Sequence, residues 1–195
     1  MRRLRVVAAA GIVVIGAGVL AWQLHGSGRP SHVADLRDAC AGKAFGDVAA
    51  YSGPAPHPVA IFLAAHGHDF SHAKPETTND VNPTKEIAPY ESRNPSDVQL
   101  VACGVITSEA RSGPDCKFTD PDSKRSFSVP LHSATYSVTV YALRTHREVG
   151  QVTVATFPDF GIRCPLLLDQ AAAPDRYLDH VDINQWIEKL DKYVR

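Results

Sequence analysis

The chain has 195 residues, 20 Lys and Arg against 21 Asp and Glu, and 44% hydrophobic residues. Four of the basic residues (Arg2, Arg3, Arg5 and Arg29) precede position 31, so the remainder sets sixteen cations against 21 acids and is mildly acidic. That balance, with no basic stripe, excludes nucleic acid as a natural partner, and the length beyond the leader suits one domain with a genuine core.

The first elements read as an export device. Residues 1–5, "MRRLR", are expected to form a cytoplasmic basic stub, and residues 6–24 an apolar helix in which Gln23 is the plainly polar residue. Nineteen residues at about 1.5 Å each reach roughly 28 Å, close to the ~30 Å of a hydrocarbon core. The arginines stay inside, so the C-terminal domain faces outside the cell membrane as a single-pass protein. A cleaved signal peptide is the alternative. Its apolar core is typically about 7–15 residues, shorter than this one, but Val19-Leu20-Ala21 is a passable cleavage site. Cleavage near Ala21 would give a secreted protein. Residues 25–32, "HGSGRPSH", read as a flexible linker because Gly, Ser and Pro resist regular structure. Residues 33–195 are then the extracytoplasmic domain.

Within that domain, "HPVAIFLAA" (57–65) is a nearly all-apolar strand, buried on both faces. Residues 66–97 hold Pro75, Pro83, Pro89 and Pro95 among many turn formers and read as a long surface loop. "VQLVACGV" (98–105) is a second buried strand, and "RSFSVPLHS" (125–133) another, with Pro130 suited to an edge or a strand end. In 133–145, Tyr136, Val138, Val140 and Ala142 alternate with Ser137, Thr139 and Tyr141, the period of two of a half-exposed antiparallel strand. Residues 148–157 answer it across the short polar connector 144–148. Near the end the period changes. Ile183, Trp186, Ile187, Leu190 and Val194 recur at three and four residues, which predicts an amphipathic helix over 182–194, capped by Asp182 and docked on the sheet. The fold class expected is mainly β with a C-terminal helix (α+β): an antiparallel sheet or sandwich preceded by one transmembrane helix.

Outside the cytoplasm, Cys40, Cys103, Cys116 and Cys164 are expected to form two disulfides, for which sequence allows three connectivities. No pair has the two-to-four-residue spacing of a structural zinc site, and no redox C-x-x-C is present. Reading Cys103 as a strand end and Cys116 as the start of the next strand favours Cys103 with Cys116 across a hairpin. That leaves Cys40 with Cys164.

The order "ACAG…AAYSGPAPHPVAIF…DVQLVACG…C…VPLHSATYSVTVYALRTHREVG…RCP" resembles a group of uncharacterised actinobacterial exported, membrane-anchored proteins with a single extracytoplasmic disulfide-bonded domain. The likeness spans most of residues 39–165, and the terminal "WIEKLDKYV" is similar to the group's closing helix. It implies placement and disulfides, and no catalytic residue, cofactor or substrate. Where the group's pattern carries a turn glycine after "RT", this chain has His146, which leaves the turn type open.

The one stretch that looks like chemistry is "AAHGHDFSH" (64–72), with His66, His68, Asp69 and His72. On a strand, His66 and His68 would share a face about 6.6 Å apart. Metal-dependent hydrolases of the metallo-β-lactamase type begin with H-x-H-x-D-H, but here the aspartate comes one residue early and the last histidine one late. The chain also lacks the length and alternating helices of those enzymes. His132, His146 and His180 are the available distal ligands. No G-x-S-x-G, P-loop or G-x-G-x-x-G occurs. His57 reads as a strand-entry residue bonded to a neighbouring loop. The expectation is a non-enzymatic binding or interaction module at the outer face of the cytoplasmic membrane, with no cofactor, no catalytic residue and an envelope protein or ligand as partner. The alternative is a metal-dependent hydrolase using His66, His68 and His72.

Overall fold

The computed structural model describes residues 29–64, 67–76, 87–90, 93–119, 124–156, 164, 176–178 and 181–195. The expected leader helix at 6–24, His66 and His180 lie outside the described residues. No helix among the described residues is long and apolar enough to cross a membrane.

Among the described residues, seven strands and two kinds of helix make up the domain. In chain order they are a 3-10 helix Val33–Ala41, β1 Val59–Leu63, a short 3-10 helix Ala88–Tyr90, β2 Leu100–Arg111, β3 Cys116–Thr119, β4 Ser126–Val129, β5 Leu131–Ala142, β6 Arg147–Ala155, β7 Tyr177–Leu178 and α1 Ile183–Val194. The main sheet runs β1-β2-β5-β6, with β7 beside the start of β5, while β3 and β4 form a separate two-stranded sheet. β1 lies parallel to β2, and β2, β5 and β6 are antiparallel. The sheet is therefore mixed rather than wholly antiparallel. The cause is the long connection after β1, since parallel neighbours need a crossover of a dozen residues or more.

The sheet is not one half of a sandwich. Val59 and Ile61 of β1, Leu100 and Ala102 of β2, and Tyr136, Val138 and Val140 of β5 pack with Trp186, Leu190 and Val194 of α1. Their alternating neighbours Ala60, Phe62, Val101 and Cys103 pack on the other face with Leu36 and Ala39 of the first 3-10 helix and with Phe45 and Val48. Two helices of different kinds thus cover opposite faces, which is why β1 and β2 are apolar on both sides.

Local signals place both covers. Asp35 accepts from the backbone of His32 and Ser31, each at 2.9 Å, and from the Ser31 hydroxyl at 3.0 Å, so it closes the start of the first helix. Those hydrogen bonds, the His32 amide first, hold the Asp35 carboxyl below its usual range. Gly42, at φ 101°, ends that helix in the left-handed conformation glycine tolerates. The folded part begins ahead of 33. Arg29 donates to Ser96 Oγ at 3.3 and 3.4 Å, and Pro30 is buried, so residues 29–32 belong to the domain rather than to a free linker.

At the other end Asp182 caps α1 as expected, accepting from the Asn184 amide at 2.6 Å. α1 also lies along the outer edge of β6. Gln185 Oε1 accepts from the Ala155 amide at 3.0 Å, and the Tyr193 hydroxyl donates to the Gln151 carbonyl at 3.5 Å. Eight helical residues span about 12 Å and four strand residues about 14 Å, so the two reaches match. A side chain at Gly150 would collide with Tyr193, and its absence lets that ring sit against the strand. The edge is thereby covered at two of its outward backbone groups.

The cysteines pair differently from the hairpin expectation. The bonds are Cys40–Cys103, with Cα atoms 5.5 Å apart, and Cys116–Cys164, at 5.3 Å. The reason is the length of β2. It continues eight residues past Cys103 to Arg111, about 27 Å of strand. Cysteines that far apart exceed the ~7 Å a bridge tolerates. Cys103 instead faces the first 3-10 helix, where Cys40 lies.

The described residues within 66–97 are also less superficial than their composition suggests. Phe70, Ala73, Pro89, Tyr90 and Pro95 are buried, and Pro75 bridges to Phe62 beside β1. Pro130 separates β4 from β5, as a residue without an N–H should.

The β5–β6 turn resolves the question raised by His146. It sits at φ 53°, where glycine is at ease. Its Nε2–H donates to the Ala39 carbonyl at 2.8 Å, and its ring stacks on Tyr141 with centroids 4.4 Å apart. A tertiary bond to the first helix therefore holds a conformation the residue disfavours. His146→Ala and His146→Gly lose the same contacts, but only glycine relieves the backbone. The glycine variant is expected to be more stable than the alanine one by about 0.5–1 kcal/mol in urea unfolding, and the reverse order would remove strain from the account.

Candidate functional site

Three groups of residues are candidates. The histidine stretch is the first. His68, Asp69 and His72 are exposed, while Phe70 between them is buried against the Phe62 side of the core. Asp69 Oδ1 accepts from the Ser71 amide at 2.8 Å, a local turn that Gly67 enters at φ 52°. Phe70 thus pins the segment and turns its neighbours to water. The two distal histidines have other tasks, His146 on Ala39 and His132 on Glu109. Among the described residues no three His, Cys, Asp or Glu side chains stand together so as to hold a metal ion.

The second is a polar cluster that the sequence does not announce. Glu109 Oε1 takes His132 Nδ1 at 2.6 Å and Arg176 Nε at 2.5 Å, with each side chain about a quarter exposed or less. A register shift between Ile106 and Ser108 brings it about. Before the shift, even-numbered residues of β2 face the α1 side with Tyr136. After it, Glu109 lies opposite Ala134 and turns to that same side. β7 pairs with Leu131 and His132 and delivers Arg176. An alternation rule without the bulge assigns Glu109 to the wrong face.

Tyr136 is nearly fully buried beside this cluster, and its phenol is pushed up to about 12 by burial, with Glu76 and Glu109 adding to the effect and Arg176 opposing it. Tyr90, equally buried, is pushed up to about 12 by burial and then Asp191, with Arg195 opposing. In the unfolded chain both lose their protons near 10. Folded-state values above unfolded ones leave stability whole below about pH 10 and diminish it as pH rises toward 12. Each phenol is expected to remove about 2–3 kcal/mol over that window. Urea unfolding at pH 9.5 and 11.5 tests this, and Tyr136→Phe should shrink the fall by roughly half.

The third candidate is a cleft of about 520 Å³ lined by Ala55, Pro56, Pro58, Ala88, Pro89 and Arg195. Its size falls in the range of about 300–1,000 Å³ typical of small-molecule sites. Three parts of the chain meet there. The β1 entry segment is stitched to the end of α1: the His57 amide donates to the Val194 carbonyl at 2.8 Å, and the Tyr51 hydroxyl donates to the Tyr193 carbonyl at 3.3 Å. His57 Nδ1 meets Gln99 Oε1 at 2.7 Å, the neighbouring-segment bond its position predicted, and its ring packs edge-on to Tyr51. The Ala55–Pro56 bond is cis. Ala88 and Pro89 come from the short 3-10 helix, anchored in the core by Tyr90. Arg195 closes the site. Its amide donates to the Asp191 carbonyl at 2.7 Å, and its Nε lies 3.0 Å from Asp191 Oδ1. The cleft depends on residues as far apart as Ala55 and Arg195, 140 positions along the chain, so sequence periodicity gives no sign of it. The weak signal is the density of Pro and Ala at 54–58 and 88–89.

No family model matches this chain, and no curated protein or solved structure matches it either.

Proposed function

We propose that the protein is a non-enzymatic binding module on the outer side of the cytoplasmic membrane, tethered by residues 6–24, and that its ligand occupies the cleft between the β1 entry segment, the Ala88–Tyr90 helix and the end of α1. The observation that carries the reading is the cleft. Five of its six lining residues are alanine or proline, and hydrogen bonds from His57 and Tyr51 fix its walls to α1. Apolar concavity with few polar groups is the usual character of a binding site. The compartment is supported by the two disulfides, which persist in oxidising surroundings, and by the charge and length of the leader. The resemblance read from residues 39–165 to exported actinobacterial proteins implies the same placement.

Two measurements test it. Protease added to intact cells should cut within residues 33–195, and a domain left whole would sink the placement. An apolar fluorescent dye should bind the purified chain, and Ala88→Trp, which fills the cleft from an exposed position, should weaken it about tenfold or more. Equal dye binding by that variant would move the ligand elsewhere.

A further inference from the structure

We infer that Asp191 sets the charge preference of this cleft, and that the occupant is an uncharged, apolar small molecule free in solution. The inference rests on reading the cleft as the ligand site. The charged lining residue there is Arg195, and by itself a guanidinium on an apolar wall would select an anion. It does not act by itself. Asp191 Oδ1 lies 3.0 Å from its Nε, and the hydrogen bond from the Arg195 amide to the Asp191 carbonyl holds the two residues together. Both sit at the C-terminal end of α1, where the helix contributes a partial negative charge of about half a unit. The positive charge is therefore offset twice, and an incoming anion would lose its hydration without finding a counter-charge. A cation fares no better, since it would give up its hydration to a wall of alanine and proline on which Arg195 is the charged group. A neutral apolar molecule surrenders little hydration and covers the alanine and proline surface.

The test uses the full chain and three alkyl diazirine photoprobes of equal length, ending in a hydroxyl, a carboxylate or a trimethylammonium group. The readout is label on residues 55–58 and 88–90 relative to the rest of the chain. The hydroxyl probe should exceed both charged probes by about tenfold. Asp191→Asn should raise the ratio of carboxylate to hydroxyl labelling about fivefold or more. Carboxylate labelling equal to hydroxyl labelling in the native chain overturns the inference, as does an Asp191→Asn variant with the native preference; both outcomes leave the cleft standing as a site. If no probe labels the cleft, the ligand site itself is overturned, and the inference falls with it.

Discussion

Replacing Cys40 and Cys103 together by alanine is expected to lower stability by about 4 kcal/mol. The bond joins residues 63 positions apart, and closing a loop of that size removes unfolded-state entropy of about that magnitude. For a chain of this length the melting temperature should fall by roughly 8–16 °C. More than entropy is at stake. Cys103 lies in the second strand of the main sheet and Cys40 at the end of the 3-10 helix that covers one face, so the bond holds that cover in place beside the His146–Ala39 hydrogen bond. Both sulfurs are removed because one left behind would exchange with the second bridge. Thermal and urea unfolding give the magnitude. A non-reducing peptide map gives the pairing, and a Cys103–Cys116 peptide there would contradict the fold itself, since β2 carries Cys103 about 27 Å from the strand's far end.

Trp186→Ala is expected to cost about 3–5 kcal/mol. Trp186 is 2% exposed and stands with Leu190 and Val194 on the face of α1 that meets β1, β2 and β5. Its Nε1 is buried with no hydrogen-bond partner among the described residues. Trp186→Phe should therefore cost clearly less than alanine, because it keeps most of the ring volume and removes an unsatisfied donor. Glu188→Ala on the exposed face should stay within about 0.5 kcal/mol. Urea midpoints of the three variants decide the matter. A tryptophan no more costly than the glutamate would mean that α1 does not pack on the sheet.

The two experiments probe opposite faces of one sheet. α1 covers the side that also carries Tyr136 and the Glu109 cluster, while the disulfide-held helix covers the other. Loss of either cover exposes strands that are apolar on both faces. The cleft lies at the end of α1, so a change that loosens the helix should also reduce ligand binding, whereas loss of Cys40–Cys103 should act on stability first.

The sequence by itself determined what is decided within one or two turns of chain. The period of Ile183, Trp186, Leu190 and Val194, with Asp182 ahead of it, fixed α1 to within a residue. The alternation of Tyr136, Val138 and Val140 marked β5 and its buried face. Pro130 marked a strand end, and the nearly unbroken apolar run of β1 its burial on both sides. Only the tertiary structure decided the partners. Thr107, Ser108, Glu109 and Arg111 of β2 are polar or charged, and the strand extends through them because β5 pairs with this stretch. That extension chose which cysteines meet, and the register shift within it turned Glu109 toward His132 and Arg176. The cleft needed Pro56, Pro89 and Arg195 to converge from three distant segments. Local periodicity reports which face of an element is apolar. It carries no information on which distant element covers that face, because that choice is made by competition among whole surfaces during packing.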